Sequence, residues 1–206
     1  MAELHTWESF EWTVAERPMP GEVRSGDAWV VLPDRSELLL AAIDGLGHGP
    51  DAAIAADEAV AIIREHGADS LEAVFALCHR RLLGTRGAAI TLTRLDPEAG
   101  TITWMGVGNV EGVLVRAGPL GTQPVARTML GGGVVGMRMP QLRPQTNELR
   151  PGDLVLMATD GVNASFPEHL RTGESLRTIT DDIMARCGRD SDDAMVMAVR
   201  FRGKRS

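Results

Sequence analysis

Aspartate residues stand where apolar runs give way to glycine. Asp44 ends the run LLLAAI and is followed by Gly45, and Asp160 ends the run LVLMAT and is followed by Gly161. Either pair alone is typical of an ordinary turn, because Asp-Gly is a favoured turn sequence. A carboxylate at the tip of a buried strand is nevertheless costly, so these two positions are candidates for chemistry.

Three further aspartates occupy similar positions. Asp192 and Asp193 come directly before the run AMVMAV, and Asp27 follows Gly26 at the start of an early apolar run. Carboxylates held close together without compensation repel one another and shift each other's pKa. A divalent cation removes that cost, and an all-oxygen ligand set without histidine or thiol favours Mg²⁺ or Mn²⁺ over zinc.

The glycines that follow Asp44 fit the same hypothesis. The segment GLGHG leads from the predicted strand to Pro50, which suits the first position of a helix because its missing N–H is not needed there. Glycine lets the chain turn sharply and lets a backbone carbonyl approach a cation. We interpret His48 as a residue of the helix entry.

The elements that must position these residues follow from hydrophobic periodicity. It predicts helices over residues 51–66, 70–83 and 176–186, and strands over residues 7–16, 28–32, 37–43, 88–95, 101–106, 112–116, 153–159 and 194–201. Strands grouped in this order indicate antiparallel sheets covered by helices, not a doubly wound parallel sheet. The Gly- and Pro-rich stretch 119–151 gives no clear pattern. Its sequence GGGVVG matches a dinucleotide fingerprint only formally, since no helix follows, and we interpret it as a flexible loop near the site.

Length and composition limit the number of domains and the classes of partner. The chain has 206 residues, which suits a single domain over residues 1–206. Its net charge of −7 argues against nucleic acid or an anionic membrane as the main partner. We find neither a signal peptide nor a run near the roughly 20 apolar residues of a membrane span. Cys78 and Cys187 match no zinc or redox spacing, so we expect reduced thiols and a cytoplasmic protein.

Four segments in chain order carry a family resemblance. SGD (25–27), DGLGHG (44–49), GDLVLMATDGV (152–162) and SDDAMVMAV (191–199) resemble the motifs of the metal-dependent type 2C protein phosphatases, in their bacterial SpoIIE-like branch. TRGAAITL (85–92), GVGNVEG (106–112) and GGGVVGM (131–137) are similar to the RsbX group, the stand-alone phosphatases of the bacterial stressosome. The resemblance extends over residues 22–199.

The resemblance implies an α+β fold, a four-layer α-β-β-α sandwich of two mainly antiparallel sheets flanked by helices, with two Mn²⁺ or Mg²⁺ ions at one edge. By motif, Asp44 would bridge both ions, the Gly45 carbonyl would bind one, Asp160 and Asp192 would bind the other, and Asp27 would hold a water. The catalytic residues would be Asp44 and Asp160, which hold the ions that activate a bridging water to attack phosphorus. The pattern alone does not decide between Asp192 and Asp193, although the motif favours Asp192.

The same resemblance implies a substrate class. The chain would hydrolyse phosphoserine or phosphothreonine in a signalling protein, such as a phosphorylated stressosome component with a STAS domain. Arg86 and Arg24 are the candidates for binding the substrate phosphate. The alternative is a pseudophosphatase, a module that binds a phosphoprotein without hydrolysing it. Because such a protein would be expected to have lost a metal carboxylate, the intact set favours the enzyme.

Overall fold

Two sheets lie face to face in the computed structural model, which describes residues 2–118, 121–170 and 173–204. With strands numbered in chain order, the first sheet runs from edge to edge as β1 (His5–Trp7), β2 (Phe10–Arg17), β12 (Ala194–Phe201), β11 (Leu154–Ala158), β7 (Glu111–Gly118) and β8 (Gly121–Arg127). The second runs as β10 (Gln145–Glu148), β6 (Thr101–Val107), β5 (Ala88–Asp96), β4 (Glu37–Gly45) and β3 (Asp27–Asp34). Both are antiparallel, apart from the short β9 (Leu130–Gly131), which pairs with β6 in parallel.

Helices cover the two outer faces. The helices α1 (Pro50–His66) and α2 (Leu71–Arg81) pack on the second sheet, and α3 (Leu176–Cys187) packs on the first. A third apolar cluster fills the space between the sheets and includes Trp104 and Phe10, both almost completely buried. The predicted four-layer α-β-β-α sandwich is therefore confirmed.

Local sequence explains where the helices begin. The Ser70 hydroxyl accepts a hydrogen bond from the Ala73 amide at 3.3 Å, and the Ser175 hydroxyl accepts one from Thr178 at 3.1 Å. Each serine thereby satisfies one of the amides that a helix leaves unpaired in its first turn. The helix α1 begins instead with Pro50, directly after Gly49. Among the described residues, none of the helices has both the length and the apolar character that a membrane crossing needs.

Two sequence-based expectations need correction. The strand predicted over residues 7–16 begins only at Phe10, as β2, because the backbone reverses at Glu8, where φ is 48°, and Trp7 belongs to β1 of the same hairpin. The unassigned stretch contains β8, β9 and β10. Few of their side chains are buried, so no apolar pattern in the sequence marks these strands. The segment that we interpreted as a flexible loop is fixed to β5 by two backbone hydrogen bonds between Val135 and Ala88, at 2.9 and 3.0 Å.

A buried ion pair fastens the ends of β7 and β11. The Asp153 carboxylate is 1% exposed and accepts hydrogen bonds from Arg116 at 2.8 and 2.6 Å and from the Arg150 amide at 2.8 Å. This contact also raises the pKa of Arg116. Removing one member leaves the other charge without its partner. Breaking the pair therefore lowers stability by more than forming the pair contributes.

We expect Asp153→Asn to lower the free energy of unfolding by about 3 kcal/mol, because an amide cannot accept all three of these hydrogen bonds and leaves the guanidinium unpaired. Urea unfolding followed by circular dichroism measures the loss. Glu148→Gln, a similar change in an exposed ion pair with Arg150, is the control and should alter stability little. Equal stability of the two variants would contradict this role of Asp153.

Candidate metal centre

The two sheets bring their aspartates to one edge of the sandwich. Asp27 opens β3 and lies directly opposite Asp44, near the end of β4, in the pairing of those strands. Asp160 follows β11, and Asp192 precedes β12, its antiparallel neighbour in the other sheet. Four carboxylates that are far apart in sequence therefore come from adjoining strand ends.

A threonine connects the two sheets at this edge. The Thr159 hydroxyl, 1% exposed, donates a hydrogen bond of 2.7 Å to Asp27 Oδ2 and accepts one of 3.0 Å from the Met195 amide. Thr159 thus holds Asp27 of the second sheet against the β11–β12 pair of the first. The only signal for Thr159 in the sequence is its place beside Asp160 in the motif.

An asparagine forms a second link. The Asn109 amide, in the loop between β6 and β7, donates a hydrogen bond of 2.6 Å to Asp160 Oδ2. Its hydrogen bond to Asp44 favours the charged form of that carboxyl. Asn109 therefore holds Asp44 and Asp160 in relation to each other. Its signal in the sequence was the polar residue in GVGNVEG, a segment that we noted without assigning Asn109 a function.

Burial and mutual repulsion disfavour charge at this edge. Burial, followed by the charge of Asp44, raises the pKa of Asp27 to about 8. Burial, followed by the charges of Asp160 and Asp192, raises the pKa of Asp44 to about 8. The pKa of Asp192 is also raised, mainly by burial. Within the described ranges, none of these carboxylates forms an ion pair with lysine, arginine or histidine.

The donor atoms fit a hard divalent cation. Four carboxyl groups and the adjacent Gly45 carbonyl supply oxygen only, which is the ligand set that Mg²⁺ and Mn²⁺ prefer. In the part of the chain that the structure describes, no group of three or more His, Cys, Asp or Glu side chains is already arranged to hold a metal ion. The fit therefore lies in the charge and chemistry of the donors and not in a preformed coordination geometry.

Glycine is required where other backbone approaches the site. A Cβ atom at Gly45 would lie 2.1 Å from the Ala52 carbonyl oxygen, and one at Gly161 would lie 1.8 Å from the Asp193 carbonyl oxygen. The first turn of α1 therefore packs directly on the end of β4, and the chain after Asp160 packs directly on the start of β12. These contacts explain the glycine that follows each aspartate.

The adjacent residues Asp192 and Asp193 have different surroundings. Asp193 is 3% exposed, and its two carboxylate oxygens accept hydrogen bonds from the Met19 and Gly26 amides at 2.8 and 2.7 Å. Asp193 thus anchors the loop that leads to Asp27. Asp192 is less buried and acts electrostatically on Asp44. The geometry favours Asp192 as the metal ligand.

The two candidate arginines lie outside the carboxylate group. Arg24 pairs with Asp57 of α1 at 2.6 Å, and Arg86 pairs with Asp51 at 3.0 Å. Arg86 is next to the glycine-rich loop, since its Nη1 would lie 2.9 Å from a Cβ atom placed on Gly47. That position favours Arg86 over Arg24 for contact with a substrate.

The loop histidine has a partner at the helix entry. His48, two residues before α1, has its Nδ1 2.8 Å from Glu22 Oε1. A Cβ atom placed on the adjoining Gly49 would lie 3.0 Å from the same carboxylate group. Glu22 therefore holds the chain that enters α1 against the 18–26 loop, and His48 lies where the sequence placed it.

The raised pKa values predict how the stability of the metal-free protein depends on pH. Because the folded-state pKa of Asp27 and Asp44 is about 8 against an ordinary 3.8, the folded protein binds more protons between these values, so the free energy of unfolding falls as pH rises. In EDTA, we expect the melting temperature to fall from about pH 5 to about pH 8.5, and to fall less in Asp44→Asn. Equal slopes for the two proteins would contradict the burial of charge at Asp44.

A second prediction separates Asp192 from Asp193. Calorimetric titration with Mn²⁺ should show at least about tenfold weaker binding for Asp192→Asn, which is equivalent to about 1.4 kcal/mol, because a charged ligand is lost. Asp193→Asn should mainly lower the melting temperature, because the amide cannot accept both backbone hydrogen bonds. The reverse ranking would show that Asp193 is the ligand.

Comparison with known proteins agrees with the motifs. The profile of the Stage II sporulation protein E (SpoIIE) family matches residues 34–202. The phosphoserine phosphatase RsbX of Bacillus subtilis (strain 168) is 22% identical over 194 residues, which cover 94% of this chain and 96% of that protein.

Solved structures share the fold. A protein described with the bacterial stressosome, a modular system that has been adapted to control secondary messenger signaling, is 30% identical, with a TM-score of 0.83 over 94% of this chain and all of that one. RsbX in complex with magnesium is 22% identical, with a TM-score of 0.83 over 97% and 99% of the two chains. The PP2C phosphatase domain of SpoIIE from Bacillus subtilis is 16% identical, with a TM-score of 0.77 over all of this chain and 66% of that one.

These similarities confirm the predicted α+β sandwich as the PP2C fold, together with the predicted likeness to RsbX. The predicted enzyme class, a protein phosphatase, agrees with the name of the RsbX relative, a phosphoserine phosphatase. Since the family profile covers most of the sequence, from the last residue of β3 to just past β12, the chain belongs to the SpoIIE family.

Proposed function

We propose that this chain is a metal-dependent phosphatase that removes phosphate from phosphoserine or phosphothreonine in a signalling protein. The observation that carries the proposal is the convergence of Asp27, Asp44, Asp160 and Asp192 from two sheets without a cationic partner among the described residues. Such a set is costly to bury unless cations bind to it.

Each residue has a proposed role. Asp44, between Asp27 and Asp160, would bridge two Mn²⁺ or Mg²⁺ ions. The Gly45 carbonyl would bind one ion, Asp160 and Asp192 would bind the other, and Asp27 would complete the site from the second sheet. When bound, the ions would supply an activated water as the nucleophile and offset the charge of the phosphoryl group.

The chain's own residues would prepare this arrangement. Thr159 holds Asp27 by a hydrogen bond of 2.7 Å, and Asn109 holds Asp160 by one of 2.6 Å. Arg86, at the border of the glycine-rich loop, is the better placed of the two arginines to bind the substrate phosphate. Hydrolysis by a metal-activated water would need no serine or cysteine nucleophile.

The proposed partner is a phosphorylated STAS-domain protein of a stressosome. The likeness to the phosphoserine phosphatase RsbX and to a protein of the bacterial stressosome supports this choice. The net charge of −7 disfavours nucleic acid and anionic membranes. The thiols Cys78 and Cys187 are buried and form no disulfide, which fits a reducing cytoplasm. Residues 1–206 would act as one phosphatase domain, since both sheets contribute to the site.

Phosphate release tests the proposal. With p-nitrophenyl phosphate and a serine-phosphorylated STAS-domain stressosome protein as substrates, hydrolysis should require added Mn²⁺ or Mg²⁺ and stop with EDTA. Asp44→Asn should lose at least about a hundredfold in rate, equivalent to about 3 kcal/mol of transition-state stabilisation, because the bridging charge is removed. Circular dichroism would check that the variant is folded.

Three results would contradict the proposal. Full activity of metal-stripped protein, or of Asp44→Asn, would exclude the two-ion site. Tight binding of the phosphoprotein without phosphate release in either metal would indicate the alternative, a pseudophosphatase.

A further inference from the structure

Large apolar side chains are exposed beside the candidate metal centre. The described residues expose eight such side chains, and four of them lie on segments that meet around Arg86. We call these four residues together with Arg86 the Arg86 surface: Leu46, Ile54, Leu83 and Met137, which are between 45% and 62% exposed. Half of the large apolar side chains that the described part of the chain presents to water are therefore gathered in one region.

Hydrogen bonds hold these segments together. The Leu46 amide donates to the Gly87 carbonyl at 3.0 Å, which joins the loop after β4 to the loop before β5. The Gly136 amide donates to His79 Nδ1 at 3.0 Å, which joins the segment carrying Met137 to α2. The exposed side chains therefore stand on fixed backbone and form a preorganised surface.

The surface includes a concave part and adjoins the metal centre. A cavity of about 410 Å³ lies between the first turn of α1 and the loop before β5, and Ile54, Thr85 and Arg86 are among the residues that line it. Arg86 crosses this region to its ion pair with Asp51. Leu46 is only two residues from Asp44, so a protein bound at the metal centre would also cover the Arg86 surface.

We propose that the Arg86 surface binds apolar side chains that flank the phosphorylated residue of the protein substrate. The inference rests on the proposed function, because it concerns the substrate of the same site. Apolar contact suits this place, because four large apolar side chains are exposed to water there and their burial under a bound partner would supply affinity.

A pair of peptides tests this specificity. Two synthetic phosphoserine peptides of equal length and charge would carry either leucine and isoleucine or serine and glycine beside the phosphoserine. We expect kcat/KM to be about tenfold higher for the apolar peptide, equivalent to about 1.4 kcal/mol. The double variant Ile54→Gln/Leu83→Gln should lose this preference and keep its kcat for p-nitrophenyl phosphate, because neither side chain belongs to the metal centre.

The matched control is Leu4→Gln/Val125→Gln, which changes two apolar residues of similar exposure outside the Arg86 surface and should keep the preference. Equal kcat/KM for the two peptides in the unmodified protein, or a preference retained by Ile54→Gln/Leu83→Gln, would overturn the inference. So would a dimer in analytical ultracentrifugation that this double variant dissociates, since the surface would then be an interface between two copies. Failure of the proposed function would differ from all of these, because p-nitrophenyl phosphate would not be hydrolysed with Mn²⁺ or Mg²⁺.

Discussion

Buried and half-buried carboxylates at the shared edge of two sheets impose the main constraint on this structure. Asp27 and Asp44 are partners in one sheet, and Asp160 approaches them from the other, so their charges repel at short range. The arrangement can exist only if the surrounding fold prevents the sheets from separating there. Thr159, whose hydroxyl joins Asp27 to the opposite sheet, supplies one such restraint.

The apolar layers supply the rest of that restraint. Between the sheets, residues such as Trp104, Phe10 and Met197 are removed from water, and the helices cover both outer faces. Burial of this extent contributes free energy that offsets the repulsion at one edge. Like charges held together at this edge lower the stability of the fold, as is common at binding sites.

Low identity to the structural neighbours has a physical explanation. Proteins that are 16 to 30% identical to this chain share its fold with TM-scores of 0.77 to 0.83. Core positions require apolar side chains of suitable volume more than particular residues, so they can diverge together. Gly45 and Gly161 are different, because any side chain would collide with backbone within about 2 Å. These two positions therefore exclude any residue larger than glycine.

The sequence by itself determined most of the helices and strands and indicated the residues that could bind a metal. Hydrophobic periodicity gave α1, α2, α3 and most strands, because that pattern is local, and the aspartates at strand ends indicated an oxygen-ligand metal site. Tertiary structure alone decided which of these residues meet. Thr159 contacts Asp27 across 132 positions of sequence. Unlike the adjacent Asp192, Asp193 binds the backbone of the 18–26 loop. Likewise, the grouping of Leu46, Leu83 and Met137 around Arg86 depends on how loops from separate elements pack, and no local pattern records that packing.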